Sequence, residues 1–274
     1  MKINNISIVI PILNEEKNLI KLTNGIRSIK NKLKIKNFEL IFIDDNSEDK
    51  TEIILKNLSL KNKFIKFFIR NEMIRDLSKS CILGFEKSKY KNILVMDGDL
   101  QHPPRFIEHL TKKYFLKKAD IVIGSRNLLK KKNSGLSFLR YISSVTIIYV
   151  ISFFLGKKTS DPLSGFFIFK KKIYKKSKKN LYANGYKILA DLIYNSDKSL
   201  KIFDQDILFD TRKSGKSKMN IIILVKLVIF ISIAFGKKLI WANVYFYLAL
   251  YKIFLIRFFL VYNWLLDKVL NYLM

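Results

Sequence analysis

With 274 residues and 49% hydrophobic content, the chain is long enough for one sizeable core, or for an ordinary domain plus an appendage. Its single cysteine, Cys81, excludes an intramolecular disulfide and a Cys-based zinc cluster. Lysine and arginine number 51 against 22 acidic residues, and the formal net charge of +29 points to an anionic partner: nucleic acid, membrane surface or substrate. A codon bias toward Lys, Asn and Ile would account for part of that excess without any function.

Met1-Lys2-Ile3-Asn4-Asn5 runs straight into a strand-like segment and offers no small-residue cleavage site, so no secretory signal is expected and the catalytic part is expected in the cytosol. Ile6 to Ile12 reads as a buried strand. Glu15 to Leu33 reads as a helix with apolar residues at Leu19, Leu22, Ile26 and Ile29, and Phe38 to Ile43 as the next strand. Thr51 to Leu60 is helical, Phe64 to Ile69 a strand, Ser78 to Ser88 a helix and Asn92 to Met96 a strand. This alternation predicts an α/β fold with a mostly parallel sheet and crossover helices, whose ligands bind at the carboxyl ends of the strands.

Polar residues collect at those ends. Asn14-Glu15-Glu16 follows the first strand, Asp44-Asp45-Asn46-Ser47-Glu48-Asp49 the second, and Asp97-Gly98-Asp99 the fourth. Asn46, Ser47 and Asp49 suit a turn and a helix cap, since their short side chains satisfy free amides. Asp45 is not required by capping. In a strand, side chains at i and i+2 share a face, so Asp97 and Asp99 can converge on one hard cation, helped by the amide oxygen of Gln101. Oxygen ligands of this kind suit Mg²⁺ or Mn²⁺. His102, beside Pro103 and Pro104, is expected to shape the loop rather than to act as a base.

Five segments occur in the order seen in family 2 glycosyltransferases: Val9 to Glu16, Ile43 to Ser47, Met96 to Pro104, Gly124-Ser125-Arg126 and Asp161-Pro162-Leu163-Ser164-Gly165-Phe166. Within that family the chain resembles the polyprenyl-phosphate (dolichol-phosphate) mannosyltransferases over roughly residues 5 to 218. The resemblance implies a GT-A fold and transfer of a hexose, mannose from GDP-mannose in the first instance, to a lipid phosphate. It implies that Glu15 and Asp45 lie against ribose and base, that Pro11, Leu13 and Ile43 line the slot, and that Asp97, Gly98 and Asp99 meet the diphosphate and its metal. Leu13 departs from the aromatic residue common at that place.

The same likeness assigns Arg126, Arg140 and Ser144 to the acceptor phosphate, and Lys187, Arg212 and Lys218 to the donor phosphates, with Asp97, Asp99, Arg126 and Arg212 as the catalytic set. Arginine suits phosphate because its planar fork binds two oxygens and keeps its charge. A phosphate monoester has its second pKa near ~6 and is largely dianionic at neutral pH, so no catalytic base is needed. Leu136 to Leu155 carries few charges between Lys-rich flanks and is expected to lie at a bilayer interface.

After Lys218 the composition turns apolar, giving an expected catalytic domain over 1–218 and a membrane-associated segment over 219–274. Lys252 and Arg257 sit inside the longest apolar run, where each would cost about 2.5 to 3.5 kcal/mol at the bilayer centre, so close association rather than a crossing is expected. The partners expected are a nucleotide-sugar, a polyprenyl phosphate and an anionic membrane surface, with no nucleic acid. Two other readings compete: a UDP-sugar transferase acting on undecaprenyl phosphate, and a non-enzymatic basic membrane-binding protein. The Gln-x-x-Arg-Trp motif of processive polysaccharide synthases is absent, since neither Trp241 nor Trp264 follows an arginine.

Overall fold

Seven strands form one sheet in the order β3-β2-β1-β4-β6-β5-β7. The computed structural model describes residues 3–126, 148–149, 156, 158–185, 188–197, 199–208 and 251. The chain separates into two units, Met1–Lys226 and Leu227–Met274, and every element named below belongs to the first.

The strands are β1 (Ile6–Ile12), β2 (Phe38–Asp44), β3 (Ile65–Ile69), β4 (Asn92–Val95), β5 (Ile121–Ser125), β6 (Phe167–Lys170) and β7 (Ile202–Asp206). The helices are α1 (Leu19–Lys32), α2 (Thr51–Lys61), α3 (Leu77–Lys87), α4 (Phe106–Leu116), α5 (Lys171–Ser177) and α6 (Ile188–Tyr194). All seven residues of β1 and of β2 are buried, as a sheet covered on both faces requires. Alternation divides them. Ile6, Ile8, Ile10 and Ile12 join a core with Leu19, Leu22 and Ile26 of α1 and Leu110 of α4, whereas Val9, Ile41, Ile43 and Val95 face Cys81 and Phe85 of α3 and Leu189 of α6. Full burial of each such side chain contributes about 1.5–3 kcal/mol, so these two layers hold the central strands rigid.

Between Ile6 and Val95 the elements fall where the apolar periodicity put them, within a few residues. The first helix begins later than expected: residues 15–18 make a turn, with the Asn18 N–H on the Glu15 carbonyl at 2.9 Å, and α1 starts at Leu19. That turn keeps Glu15 at the strand end instead of on a helix face. The sheet is parallel except for β6, which runs antiparallel between β4 and β5. Because β5 and β7 return to the parallel direction, the carboxyl ends of β1, β2, β3, β4 and β5 share one edge. The 161–166 segment leads into β6 and so enters at that edge too.

Candidate active site

Two loops at the carboxyl edge are stitched together before any ligand arrives. The Asn14 N–H donates to Ser47 Oγ at 2.8 Å, the Glu48 N–H to Asn14 Oδ1 at 2.8 Å, and the Glu15 N–H to Thr51 Oγ1 at 2.9 Å. Asp49 takes the Glu16 and Thr51 N–H groups, and Asp44 takes both the N–H and the hydroxyl of Ser47. Asn14 (φ 55°) and Asn46 (φ 64°) hold left-handed backbone, which asparagine tolerates better than most residues. Burial pushes the Asp44 carboxyl above its usual range even though Ser47 hydrogen-bonds to it. Asp44, Ser47 and Asp49 are therefore spent on loop architecture, while Glu15 holds Asn18 through a 2.7 Å bond and stays half-buried at the rim.

Asp45 is buried and doubly held. Arg70 Nε donates to its Oδ1 at 2.6 Å and the Asp76 N–H to its Oδ2 at 2.7 Å. Arg70, itself 5% exposed, also reaches the Ile74 carbonyl and Glu72. Pro11 and Ile43 are register partners on β1 and β2 and are both buried, with Ile43 packed in the core against α3. Leu13 is half-buried just beyond the strand.

Asp97 and Asp99 lie past the end of β4, which stops at Val95, so the strand spacing that suggested a shared face does not carry over. A bend replaces it. Asp99 is 6% exposed and accepts the Gln101 N–H at 3.0 Å around Leu100, which sits at φ 61°. Gly98 fits only because it has no Cβ, since one would stand 2.6 Å from Ile12 and 3.5 Å from Glu15. Asp97 keeps 35% of its side chain exposed and has His102 Nδ1 at 3.3 Å from Oδ2. Its carboxylate lies against Gly165, where a Cβ would meet Oδ2 at 2.5 Å and Oδ1 at 2.6 Å. His102 is fully buried, stacks on Phe166 at 5.2 Å, and is kept neutral because burial outweighs the neighbouring carboxylates.

Gly165 belongs to a loop that also carries Asp161, whose side chain has no exposure and grips Arg126 with two bonds, Nε to Oδ2 at 2.7 Å and Nη2 to Oδ1 at 2.8 Å. Burial pulls the Arg126 guanidinium down but Asp161 more than compensates, so its charge is secure. Ser164 Oγ donates to the Gly124 carbonyl at 2.7 Å, and Ser125 Oγ meets Ser160 Oγ at 2.7 Å, which fastens this loop to β5.

The loop thus joins a half-buried carboxylate, Asp97, to a charged arginine. Among the described residues no group of three His, Cys, Asp or Glu side chains forms a metal cage. Two hard carboxylates at a strand end instead fit a Mg²⁺-like ion, which takes one or two protein carboxylates and draws its remaining ligands from water and substrate phosphates.

Of the expected site residues, the fold brings Pro11, Leu13, Glu15, Ile43, Asp45, Asp97, Gly98, Asp99, Gln101 and Arg126 to one sheet edge. Lys187, Arg212, Lys218, Arg140 and Ser144 lie outside the described residues. So does most of 136–155, of which Ile148 is buried and Tyr149 exposed. Asp161, Gly165, Arg70 and Asp76 were assigned no part from the sequence. Asp161 and Gly165 did stand in one of the ordered segments, whereas Arg70 and Asp76 carry no signal in the chain itself.

The model of the family described as glycosyl transferase family 2 matches residues 7–178. The chain belongs to glycosyl transferase family 2. This family member is 33% identical over 217 residues to a dolichol-phosphate mannosyltransferase of Pyrococcus furiosus, covering 78% of this chain and 59% of that protein. A protein of the same name from Saccharomyces cerevisiae is 28% identical, covering 78% and 80%. A dodecaprenyl-phosphate galacturonate synthase of Rhizobium johnstonii is 26% identical, covering 79% and 62%. Among solved structures, a glucosyl-3-phosphoglycerate synthase of Mycobacterium tuberculosis superposes with TM-score 0.60 at 17% identity, covering 85% of this chain and 79% of that one, which establishes the GT-A fold.

Proposed function

We propose that this family 2 member transfers a hexose from a nucleotide-sugar to a polyprenyl phosphate with inversion, and that mannose from GDP-mannose is the sugar moved. The observation that carries the reading is the 161–165 loop, which sets Asp97 against Gly165 and clamps Arg126 through Asp161. A donor diphosphate and an acceptor phosphate both need positive charge or metal, and this loop brings the residues suited to each to one place. Relatives named for dolichol-phosphate mannose transfer support the acceptor class.

Asp97 and Asp99, with the Gln101 amide, would hold a divalent cation, Mg²⁺ or Mn²⁺; when bound, such an ion offsets the charge that builds on the departing diphosphate. Asp45 and Glu15 receive the nucleoside at the β2 and β1 ends, beside Leu13 and Pro11. Arg126 presents a fixed guanidinium to the acceptor phosphate, joined in this reading by Arg140 and Ser144. Lys187, Arg212 and Lys218 meet the donor phosphates. The acceptor dianion attacks the anomeric carbon directly, so the protein orients and neutralises but moves no proton.

His102 fits that scheme as a spacer. Buried and neutral on Phe166, it stands beside the Asp97 carboxylate, Nδ1 3.3 Å from Oδ2, without competing for charge.

The apolar segment after residue 218 and the basic flanks of 136–155 support membrane association with the catalytic part on the cytoplasmic face. No helix among the described residues is long and apolar enough to cross a membrane. A second reading, transfer from a UDP-sugar, draws on the Rhizobium relative, which is named for galacturonate and dodecaprenyl phosphate.

The test is to incubate the purified full chain with Mn²⁺, a polyprenyl phosphate and either labelled GDP-mannose or labelled UDP-sugars. Label moving into lipid from GDP-mannose is the expected result. Label from a UDP-sugar alone selects the second reading, and no label from any donor, with Asp99→Ala indistinguishable from wild type, overturns both.

A further inference from the structure

At the start of α3 stands a buried acid that the transfer chemistry does not use. Asp76 is 3% exposed, and its N–H and carboxylate make three hydrogen bonds in three directions. Its own N–H donates to Asp45 Oδ2 at 2.7 Å. Its Oδ1 accepts the Lys79 N–H at 3.1 Å and caps the helix, while its Oδ2 accepts the Gly185 N–H at 2.6 Å. The Ser78 N–H returns to the Gly185 carbonyl at 2.8 Å, so both polar groups of Gly185 are bound to the first turn of α3.

The rest of that loop is held from the other side. Asp191 of α6, also buried, takes the Tyr182 N–H at 3.1 Å and the Ala183 N–H at 2.9 Å, and Asn195 steadies its Oδ1. Ala183 is kept at φ 59° and Gly185 at φ 84°. A left-handed alanine persists only where its surroundings over-determine it, and here two buried carboxylates take the N–H groups of Tyr182, Ala183 and Gly185. Such anchoring is far more than a surface connection requires. The loop is fixed to the first turn of α3 by Asp76 and Ser78, and of these two Asp76 also bonds Asp45.

We infer that Asp76 is a positioning residue for the nucleotide donor: it sets the spacing between Asp45 and the 181–185 loop, so that both meet one nucleoside diphosphate. The inference rests on the donor-binding reading of Asp45. Asp76 does not touch the donor. It acts on Asp45 through its backbone and on the loop through its carboxylate, and a misplacement of about 1 Å at such a site costs on the order of a hundredfold in rate.

The experiment uses the full chain with Mn²⁺ and measures calorimetric affinity for GDP and for UDP, the KM for donor and for lipid phosphate, and thermal unfolding. Asp76→Ser is the main variant, because serine keeps the helix cap but is too short to hold Gly185. Asp76→Asn is the second, since its amide keeps one acceptor. The expected result for both is nucleoside diphosphate binding weakened about tenfold or more and a raised donor KM, with the acceptor KM near wild type and only a small drop in unfolding midpoint from the unpaired Gly185 N–H. Combined with Asp45→Asn, the loss should be smaller than the product of the single losses, as for residues acting in one unit. Unchanged affinity in Asp76→Ser, multiplying effects in the double variant, or equal rises in both KM values alongside a lower midpoint would each overturn the inference. If the wild-type chain binds neither GDP nor UDP, the donor-site reading falls and takes this inference with it.

Discussion

The two edges of one sheet carry opposite chemistry. The carboxyl edge gathers Glu15, Asp44, Asp45, Asp97, Asp99 and Asp161, several of them buried and each given defined partners. The amino edge is rimmed by exposed lysines, among them Lys34, Lys36, Lys63, Lys89, Lys91, Lys118 and Lys201, each just ahead of a strand. Where that edge does hold acids they are paired for structure: Glu39 takes the Ser7 hydroxyl, the Lys89 N–H and Lys66, and Asp120 takes Lys170. Net charge therefore says little about this protein's chemistry. What distinguishes the edges is where the acids stand: those of the carboxyl edge gather at strand ends and in the loops that follow them, whereas Glu39 and Asp120 sit at strand beginnings.

Breaking the carboxyl edge should cost catalysis first. Asp97→Asn or Asp99→Asn should lower the transfer rate about a thousandfold, on the scale of losing a key electrostatic group, with the unfolding midpoint little changed. Single-turnover assays beside thermal unfolding would show it. Asp161→Ala leaves Arg126 as a largely buried charge without its carboxylate, so unfolding in urea should show a loss of about 3 kcal/mol, accompanied by a raised KM for lipid phosphate.

The amino edge should respond in the opposite sense. Glu39→Gln should cost about 2 kcal/mol of stability and leave kcat/KM for transfer as it was. Its pH signature follows from sign. Burial raises the Glu39 carboxyl, but the bonds from Ser7, Lys66 and the Lys89 N–H outweigh it and leave the folded value below the ordinary 4.5. The stabilisation is therefore present above that ordinary value and fades as pH falls through the folded one, and urea midpoints in acid should converge for wild type and Glu39→Gln. The smallest effect belongs to Glu108, whose carboxyl is pulled down to about 2 by Lys112 and Lys32 near the surface. Glu108→Gln should change stability by less than about 1 kcal/mol, and less still in high salt.

Much of the carboxyl edge was legible in the chain because its strands are short β-branched runs and its polar residues follow them directly. Ile6 to Ile12 and Phe38 to Asp44 show two-sided burial, which leaves such runs unbroken. Three things were not legible. Strand direction is absent from the pattern of Phe167 to Lys170, so an antiparallel β6 could not be read. Asp97 and Asp99 looked like strand neighbours, yet the backbone turns at Leu100, because Gly98 wedges against Ile12 and Asp99 captures the Gln101 N–H. Finally, Arg70, Asp76 and Asp161 act on partners 25, 31 and 35 residues away, and no local spacing encodes such pairs.

The central claim is that the carboxyl edge joins a metal-dependent donor site to an acceptor-phosphate clamp through one loop. Its most direct test is transfer of labelled sugar to polyprenyl phosphate at saturating donor, compared between wild type with Mn²⁺, wild type with chelator, Asp97→Asn and Arg126→Ala. Label should enter lipid only in the first, and raising the acceptor concentration should partly restore transfer by Arg126→Ala. Transfer that persists in chelator and in Asp97→Asn would contradict it.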